Sequence, residues 1–441
     1  MARTYRIAVV GAGPAGFYAT DALFRQTDLD VRVDLFDRLH FPYGLVRYGV
    51  APDHLNIKAV TRVFDKAASA RHFRFFGGIE LGAEFRISDL HDHYDAVLLT
   101  TGCATDKPLG IAGDSATGSY SATEFVAWYN GHPDFQNRTF RLDSPRVAVV
   151  GAGNVALDVA RILVRNPEEL APSDITQTAL EALRRSAVRE VVLIARRGAE
   201  HAAFAYKELQ ELGSLSDVEL TASDDGLPSP EIEASLEPDA AKIVAYLRER
   251  VVHPLVPTRA KRRVHLQFLA SPVEFLTDTQ GVIGLKLVRN VRLPGGGIQA
   301  SRQFDLIDTH AVFRSIGYRA LPIEGVPFDT HNGTIPHHDG RVCHCESRCT
   351  VPGLYVAGWA KRGPSGLIGT NKPDAIATVN SMLADLPNLP KPSVPQDVEL
   401  TLRVRGLRHS TWQDWQRADA HEQELGKAAS KVREKLIKPL E

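Results

Sequence analysis

The amino-acid sequence predicts an α/β fold built on parallel β-sheets. Two segments have the order strand, glycine-rich turn and helix, one at the start of the chain and one near residue 150. Apolar runs of strand length, separated by helical stretches, are the pattern of a doubly wound parallel sheet, and they lie at 31–36, 96–100, 191–195 and 354–357. A chain of 441 residues is long enough for two or three domains of about 100–200 residues each.

Composition and charge exclude several classes of protein. Hydrophobic residues make up 44% and charged residues 24% of the chain, which argues against a disordered or fibrous protein. The net charge of -1 creates no global field, so we expect neither nucleic acid nor a membrane as partner. The chain starts directly with a strand and has no apolar run of about 18 residues, so we expect no signal peptide or membrane span. Four cysteines are too few for a disulfide framework, which favours a reducing, cytoplasmic location.

The first glycine-rich turn follows the strand at residues 5–10. Gly11 is placed for the tight turn, Gly13 for close approach to a pyrophosphate and Gly16 for contact between helix and strand. The next strand ends in Asp37, where an acid binds ribose hydroxyls. This combination predicts a dinucleotide site, with the helix N-terminus facing the phosphates.

The second turn predicts a different dinucleotide. It carries Gly153 and has Ala156 at the third glycine position, an accepted variant. The following strand, 190–195, ends in Arg196 and Arg197 instead of an acid. A carboxylate there would bind the free 2′-hydroxyl of NAD, whereas a 2′-phosphate requires cations with forked donors. The sequence therefore indicates NADPH, unless both arginines merely form a solvated strand end.

Both glycine-rich turns and six further strings resemble the adrenodoxin reductase type of ferredoxin–NADP reductase, particularly its bacterial members. The matching segments extend over residues 5–380, and the string G-L-V-R-x-G-V-A-P-D-H is highly specific. The strings lie at 43–54, 128–131, 153–161, 196–198, 313–318 and 358–366.

The resemblance implies two Rossmann-like dinucleotide-binding domains, with the NADP domain inserted in the FAD domain. The expected boundaries are 1–105 and 319–385 for the FAD domain, 106–318 for the NADP domain, and 386–441 for a linker and C-terminal helical appendage. The implied FAD-binding residues are Gly11, Gly13, Ala15, Gly16, Asp37, Leu45, Leu81, Trp359, Gly366, Leu367 and Ile368. The implied NADP-binding residues are Ala152, Gly153, Asn154, Val155, Arg196, Arg197 and Glu208, with a further contact from Gly366.

Three departures from the family pattern stand out. Asp37 replaces the usual Glu, which shortens the ribose contact, and Leu55 replaces the usual Pro after His54. The cluster from Cys343 to Cys349 has no counterpart. Its spacing, C-x-C-x3-C, leaves open a metal-binding, a redox-sensitive or an inert loop, and we predict no metal site.

Two residues are candidates for the reaction centre. His54 lies in the specific string, and we expect Pro52-Asp53 to cap a helix that begins near it and buries Ile57 and Phe64. Glu211 and Glu208 are three residues apart on a predicted helix and so share a face. Hydride transfer between two cofactors needs no protein base. We therefore predict an electrostatic and positioning role for His54 and Glu211.

The resemblance implies an FAD-dependent oxidoreductase that takes hydride from NADPH and passes single electrons to ferredoxin or a similar iron–sulfur protein. We expect a monomer. A pyridine nucleotide–disulfide oxidoreductase would need a cysteine pair beside the flavin, and Cys103 stands alone. A reductase subunit of a larger complex, like that of glutamate synthase, and a non-catalytic flavin-binding scaffold both stay open as competing functions.

Two surface features complete the predictions. The basic segment 259–263 is our candidate for docking an acidic ferredoxin, with Lys361-Arg362 as the next candidate. In the appendage, Trp412 and Trp415 are three apart and share a helix face. We expect them to anchor the appendage to the body of the protein.

Overall fold

The computed structural model describes residues 3–82, 84–250, 260–294 and 296–440. The chain forms two compact units. Unit 1 consists of Met1–Thr105 and Tyr318–Glu441, and unit 2 of Asp106–Gly317. In the first segment of unit 1 the elements are β1 (Thr4–Val10), α1 (Pro14–Arg25), β2 (Asp30–Asp37), α2 (Leu45–Tyr48), α3 (Leu55–Lys58), α4 (Thr61–Ala68), β3 (Phe73–Gly77), α5 (Ile87–His93), β4 (Ala96–Leu99) and β5 (Thr105–Asp106).

Unit 2 contains β6 (Ser119–Ser121), α6 (Ala122–Tyr129), β7 (Arg146–Val150), α7 (Asn154–Val164), α8 (Pro167–Leu170), α9 (Gln177–Arg184), β8 (Glu190–Ile194), α10 (Tyr206–Gly213), β9 (Val218–Ala222), α11 (Pro230–Glu233), α12 (Pro238–Arg250), β10 (Arg262–Gln267), β11 (Ala270–Asp278), β12 (Gly281–Arg292), β13 (Ile298–Asp308) and β14 (Val312–Arg314). The second segment of unit 1 adds β15 (Tyr318–Arg319), β16 (His337–His338), β17 (Arg341–Cys343), β18 (Thr350–Val356), α13 (Trp359–Arg362), α14 (Asn371–Asp385), α15 (Val398–Val404) and α16 (Trp412–Ala428).

Unit 1 is organised around a seven-stranded sheet of order β16-β17-β18-β4-β1-β2-β3. Its central strands run parallel, and β18, from the second segment, pairs with β4 from the first. One sheet is therefore completed by two distant parts of the sequence, so unit 2 is an insertion. The strand order reverses beside β1, which is where an open parallel sheet binds its ligand.

Unit 2 has a parallel six-stranded sheet of order β6-β14-β7-β8-β10-β9 and a second, antiparallel sheet of β11, β12 and β13. Helices cover one face of the parallel sheet, and the three-stranded sheet packs on the other through side chains such as Val150, Ile194, Phe275 and Leu285. The predicted α/β class with parallel sheets is confirmed. The antiparallel sheet is an addition that the sequence pattern did not predict.

The helix predicted near His54 differs from the expectation. Two short helices, α3 and α4, replace one continuous helix, and His54 itself, not Asp53, is the N-cap residue of α3. Phe64 is buried as predicted, but the Ile57 side chain is 42% exposed. A four-residue α3 presents no long apolar face to the core, so Ile57 stays in solvent.

The C-terminal appendage packs on unit 1 through both tryptophans. The Trp415 ring is buried and its Nε1 donates to the Tyr43 hydroxyl at 3.1 Å. The Trp412 ring meets Phe17 and Phe73 edge to face. The predicted anchoring role of the pair is therefore confirmed.

Within the described ranges, none of the helices has the length and apolar character that a membrane span requires.

Candidate dinucleotide sites

The first glycine-rich turn lies between β1 and α1 in unit 1. Gly11 has a φ of +112°, and a Cβ there would lie 2.5 Å from the Thr100 carbonyl oxygen. A Cβ on Gly16 would overlap the Gly11 carbonyl, whereas a Cβ on Gly13 would meet no heavy atom within 4 Å. Gly11 and Gly16 are thus required by packing. Gly13 leaves open space at the N-terminus of α1, where backbone N–H groups favour a pyrophosphate.

Asp37, at the end of β2, holds this turn in place. Its two carboxylate oxygens accept hydrogen bonds from the backbone N–H groups of Ala12 at 2.7 Å and Leu39 at 2.8 Å. Burial raises the pKa of Asp37, and these two donors offset part of that effect. Each carboxylate oxygen has a second lone pair, so the geometry still allows the predicted ribose contact.

The segment that contains Leu45 packs directly on the glycine turn. The Tyr43 N–H donates to the Ala12 carbonyl at 2.7 Å. A Cβ on Gly44 would lie 3.0 Å from the Gly13 Cα atom. Leu45 then begins the short helix α2. The highly specific string and the first glycine turn therefore form one local structure.

Residues of the second segment reach the same turn. A Cβ on Gly358 would lie 2.7 Å from the Ala15 Cβ atom, so the end of β18 touches the start of α1. The Trp359 indole donates to the Ser365 carbonyl at 3.2 Å, and its ring centroid lies 5.6 Å from that of Tyr318. Trp359 is thereby held next to the predicted flavin-binding residues.

Gly366, Leu367 and Ile368, three of the predicted FAD-binding residues, lie just before α14. Ile368 begins a single 3₁₀ turn that ends at Thr370, and α14 starts only at Asn371. Leu367 is 66% exposed, which leaves its side chain available to a ligand. Leu81 packs, half-buried, against the core on one face of the sheet.

The second glycine turn, in unit 2, repeats the first. Gly151 has a φ of +141°, and a Cβ there would overlap the Ser315 carbonyl. Gly153 again has no heavy atom within 4 Å of the Cβ position. The Ala203 N–H donates to the Ala152 carbonyl at 2.8 Å, and the Asn154 side chain accepts from the Ala205 N–H at 2.7 Å.

These last contacts connect the turn to the segment before α10. Val155 follows in the first turn of α7 and is half-buried against the core. Ala156 is fully buried, which explains why a small residue suffices at the third glycine position.

Arg196 and Arg197 extend from the end of β8 with both side chains exposed. Across residues 3–82, 84–250, 260–294 and 296–440, neither guanidinium forms an ion pair. By contrast, Arg292 is bound to Glu200, with Nε 2.8 Å from Oε1. The two predicted phosphate-binding residues therefore remain free for an anion.

A buried arginine that was not among the predicted site residues organises the predicted acidic pair. Arg161, in α7, is fully buried and pairs with Asp158 at 2.8 Å. It also lies 3.7 Å from both Glu208 and Glu211. The signal was present in the sequence, because a charged residue interrupts the apolar stripe of α7 and needs acidic partners when buried.

His54 lies in unit 1, whereas Glu208 and Glu211 lie in unit 2. The His54 N–H donates to the Ala51 carbonyl at 3.0 Å, which fixes the start of α3. The structure therefore positions each of these residues within its own unit.

The cysteine cluster forms a hairpin and not a converging set of ligands. Cys343 is buried and pairs with Thr350 across β17 and β18, and Cys345 and Cys349 are exposed. From His337 to Cys349, a stretch that the structure describes completely, no three ligand atoms lie within 4.8 Å of one another. The segment lacks the convergent thiols that zinc or an iron–sulfur cluster requires.

The two glycine turns, each at the carboxyl end of a central parallel strand, define a dinucleotide-dependent oxidoreductase with two dinucleotide sites. A family model described as pyridine nucleotide-disulphide oxidoreductase matches residues 5–213. NADPH-ferredoxin reductase FprA of Mycobacterium tuberculosis is 38% identical over 98% of this chain and 97% of its own length. The mitochondrial NADPH:adrenodoxin oxidoreductase of Arabidopsis thaliana is 37% identical over 99% of this chain and 94% of its own length.

The structural comparison agrees with these relatives. The solved structure of Mycobacterium tuberculosis FprA in complex with NADPH has a TM-score of 0.92 and 37% identity, covering 99% of this chain and 98% of that one. The chain belongs to the family of NADPH-ferredoxin reductases that includes FprA and NADPH:adrenodoxin oxidoreductase. The resemblance predicted from the sequence motifs is confirmed.

Proposed function

We propose that this protein is an FAD-containing NADPH–ferredoxin reductase. One NADPH supplies a hydride, which carries two electrons. These electrons leave singly to two oxidised iron–sulfur proteins, and NADP⁺ and one proton are the other products. The observation that carries the proposal is the pair of glycine turns with open second glycines, one followed by an acid and the other by two exposed arginines.

Unit 1 supplies the residues that fit FAD. The open side of Gly13 suits a pyrophosphate, and the carboxylate of Asp37 suits ribose hydroxyls. Trp359, which follows the Gly358 that touches Ala15, offers an aromatic surface. When bound, FAD supplies the conversion between a two-electron donor and one-electron acceptors. We assign Leu45, Leu81 and residues 366–368 to the same FAD site as further contacts.

Unit 2 supplies the residues that fit NADPH. The open side of Gly153 suits the second pyrophosphate, and Arg196 and Arg197 suit the 2′-phosphate because guanidinium groups bind phosphate through forked donors. Arg161 forms ion pairs with Glu208 and Glu211, each at 3.7 Å. We assign Glu208 to binding NADPH, and His54 and Glu211 to an electrostatic and positioning role and not to obligatory proton transfer.

The partner in this proposal is a ferredoxin or a similar iron–sulfur protein. Arg259 of the predicted docking segment lies outside the described residues. Within the described part, the Arg263 guanidinium is bound to Glu219 at 3.0 Å. Arg262 donates to the Val164 carbonyl at 2.8 Å. Lys261 remains as an exposed cation of this segment.

The second docking candidate, Lys361-Arg362, also makes its polar contacts within the protein. Lys361 pairs with Asp374 at 2.9 Å, and Arg362 donates to the Asn371 side chain at 2.8 Å. We therefore propose that Lys261 contributes to the docking surface.

Two measurements test the proposal. Anaerobic NADPH should bleach the flavin absorbance of the holoprotein, and a purified bacterial ferredoxin should restore it while becoming reduced. A non-catalytic scaffold would bind FAD without bleaching. A reductase that works only as a subunit of a larger complex would bleach without reducing the ferredoxin. Either result would overturn the proposal.

The NADPH assignment has its own test. Arg196→Ala/Arg197→Ala should abolish most of the preference for NADPH over NADH, since each charged hydrogen bond contributes about 1.5–3 kcal/mol, or about tenfold to a hundredfold. Arg302→Ala is the matched control because Arg302 is an exposed arginine of the same unit. An unchanged ratio of kcat/KM values in the double variant would show that other residues bind the 2′-phosphate.

A further inference from the structure

The turn that carries Arg196 and Arg197 is supported by a side chain almost a hundred residues further along the chain. Asn290, on β12, is only 7% exposed. Its Nδ2 donates to the Arg196 carbonyl oxygen at 2.8 Å and to the Ser271 hydroxyl at 2.8 Å. A buried amide whose two donors are both used in this way fixes the backbone that it contacts.

The next carbonyl is fixed by the same part of the chain. The Leu269 N–H donates to the Arg197 carbonyl at 3.2 Å, and the Asn290 N–H donates to the Leu269 carbonyl at 2.7 Å. Asn290 therefore supports the arginine pair twice, directly through its side chain and through Leu269 by its backbone.

A second β12 residue supports the end of the turn. Arg292 lies two positions after Asn290 and so on the same face of the strand. Its guanidinium binds Glu200 and donates to the carbonyls of Asp225 at 2.9 Å and Gly226 at 2.8 Å. A Cβ on Gly198 would overlap this Arg292–Glu200 pair.

The pair also matters for charge. Glu200 is the acid nearest in sequence after Arg197. Its pKa lies below the ordinary value, because the hydrogen bonds and the charge of Arg292 lower it by more than burial raises it. With its charge neutralised by Arg292, Glu200 does not compete with a phosphate for the two exposed arginines.

We propose that Asn290 is a positioning residue that sets the preference for NADPH over NADH by holding Arg196 and Arg197 in a phosphate-ready arrangement. This inference rests on the proposed function, in which those arginines bind the 2′-phosphate. Two adjacent guanidinium groups repel each other. Their backbone must therefore be fixed beforehand if a phosphate is to meet both without a cost in ordering.

The test compares Asn290→Ala with Arg289→Ala, the neighbouring residue on β12, whose guanidinium binds Asp305 at 2.7 Å and Asp225 at 3.4 Å. With ferricyanide as acceptor, Asn290→Ala should lower kcat/KM for NADPH about three- to tenfold, mainly through KM, because ordering a side chain on binding costs about 0.5–1.5 kcal/mol. The value for NADH should change less than about twofold, and Arg289→Ala should leave the ratio unchanged. Affinity for 2′,5′-ADP, measured by calorimetry, should fall by the same factor, and affinity for 5′-ADP should not change.

The outcomes separate this inference from the proposed function. If Arg196→Ala/Arg197→Ala keeps the NADPH preference, the phosphate assignment fails and this inference with it. If that variant loses the preference while Asn290→Ala keeps it, only the role of Asn290 is wrong. Equal losses for both nucleotides would mean a purely structural role and would also overturn it.

Two further variants keep the test decisive. In the Arg196→Ala/Arg197→Ala background, adding Asn290→Ala should no longer change the nucleotide ratio. If Asn290→Ala does not fold, Ser271→Ala releases one of the two acceptors that orient the amide, and it should shift the ratio in the same direction by a smaller factor. An unchanged ratio in Ser271→Ala would then reject the proposal.

Discussion

A buried ion pair between Arg47 and Glu422 offers the sharpest test of what the C-terminal appendage does. Glu422, in α16, has no solvent exposure, and its Oε2 accepts from Arg47 Nη1 at 2.9 Å while Oε1 accepts from Arg47 Nη2. Glu422 also accepts from Arg433 at 3.0 Å and from the Leu436 N–H at 2.8 Å. The pKa of the Glu422 carboxyl lies below its ordinary value. Burial alone would raise this pKa, but the charge and the hydrogen bonds of Arg47 lower it by more.

The pair connects the appendage to the first dinucleotide site. Arg47 lies in α2, directly after the Gly44 that touches Gly13. The Lys435 ammonium donates to the Arg47 carbonyl at 3.2 Å, so the appendage holds this residue by both its side chain and its backbone. We expect the appendage to keep the 43–49 segment against the glycine turn.

Removing Glu422 should therefore destabilise unit 1 and weaken FAD retention. Glu422→Ala leaves the Arg47 charge buried without its carboxylate, which costs about 3–5 kcal/mol of unfolding free energy. Glu422→Gln should cost less, because its amide oxygen still accepts from the Leu436 N–H. The exposed Glu424, on the same helix, is the matched control, and Glu424→Gln should change stability by less than about 0.5 kcal/mol.

The assay is urea unfolding of the holoprotein, followed by flavin fluorescence and by far-ultraviolet circular dichroism. Flavin release should move to lower urea in Glu422→Ala, while affinity for 2′,5′-ADP, which reports on unit 2, stays unchanged in native buffer. A loss of less than about 1 kcal/mol, with flavin release at the same urea concentration as the unmodified protein, would refute the reasoning.

Two further predictions concern docking and pH. Lys261→Glu should raise the KM for an acidic ferredoxin and make that KM less dependent on ionic strength, because charges at the edge of an interface mainly steer association. The rate of ferricyanide reduction by NADPH should not change. Unaltered ferredoxin kinetics would place the docking site elsewhere. The hydrogen bonds from Arg341 lower the pKa of Asp385, so this acid stabilises the fold above the ordinary carboxyl pKa, and that contribution is lost as pH falls through the lowered value. The melting temperature of Asp385→Asn should therefore fall less between pH 6 and pH 3 than that of the unmodified protein, and parallel curves would contradict the assignment.

Features that depend on neighbouring residues were predicted well from the sequence. The strand before Gly11, its turn and α1 follow from apolar periodicity and glycine spacing, which are local. The sheet of β11, β12 and β13 was missed because its strands expose one face, so its apolar residues alternate with polar ones and form no continuous run. Continuous apolar runs identify only strands that are buried on both faces.

The residues of the candidate site also differ in how far the local sequence reveals them. Arg196 and Arg197 were predicted because they follow a recognisable strand. The contacts of Arg161 and Asn290 were not predicted, since their partners are brought by folding from distant parts of the chain. The basic segment was overestimated for the same reason: Arg263 is a cation in the sequence but is bound to Glu219 in the fold.

A charged side chain that stays exposed and forms no ion pair in the fold is therefore a better guide to a ligand site than a charged residue in the sequence. Lys+Arg and Asp+Glu are almost equal in number, 52 and 53, so a typical cation of this chain has an acid available to it. Glu200 lies three residues from Arg197, yet its carboxylate is bound to Arg292. The fold thus keeps an acid away from two exposed arginines at the end of a central parallel strand, beside an open glycine turn. We expect such an arrangement to gain its counter-charge when a phosphate binds, and the 2′-phosphate is the group that distinguishes NADPH from NADH.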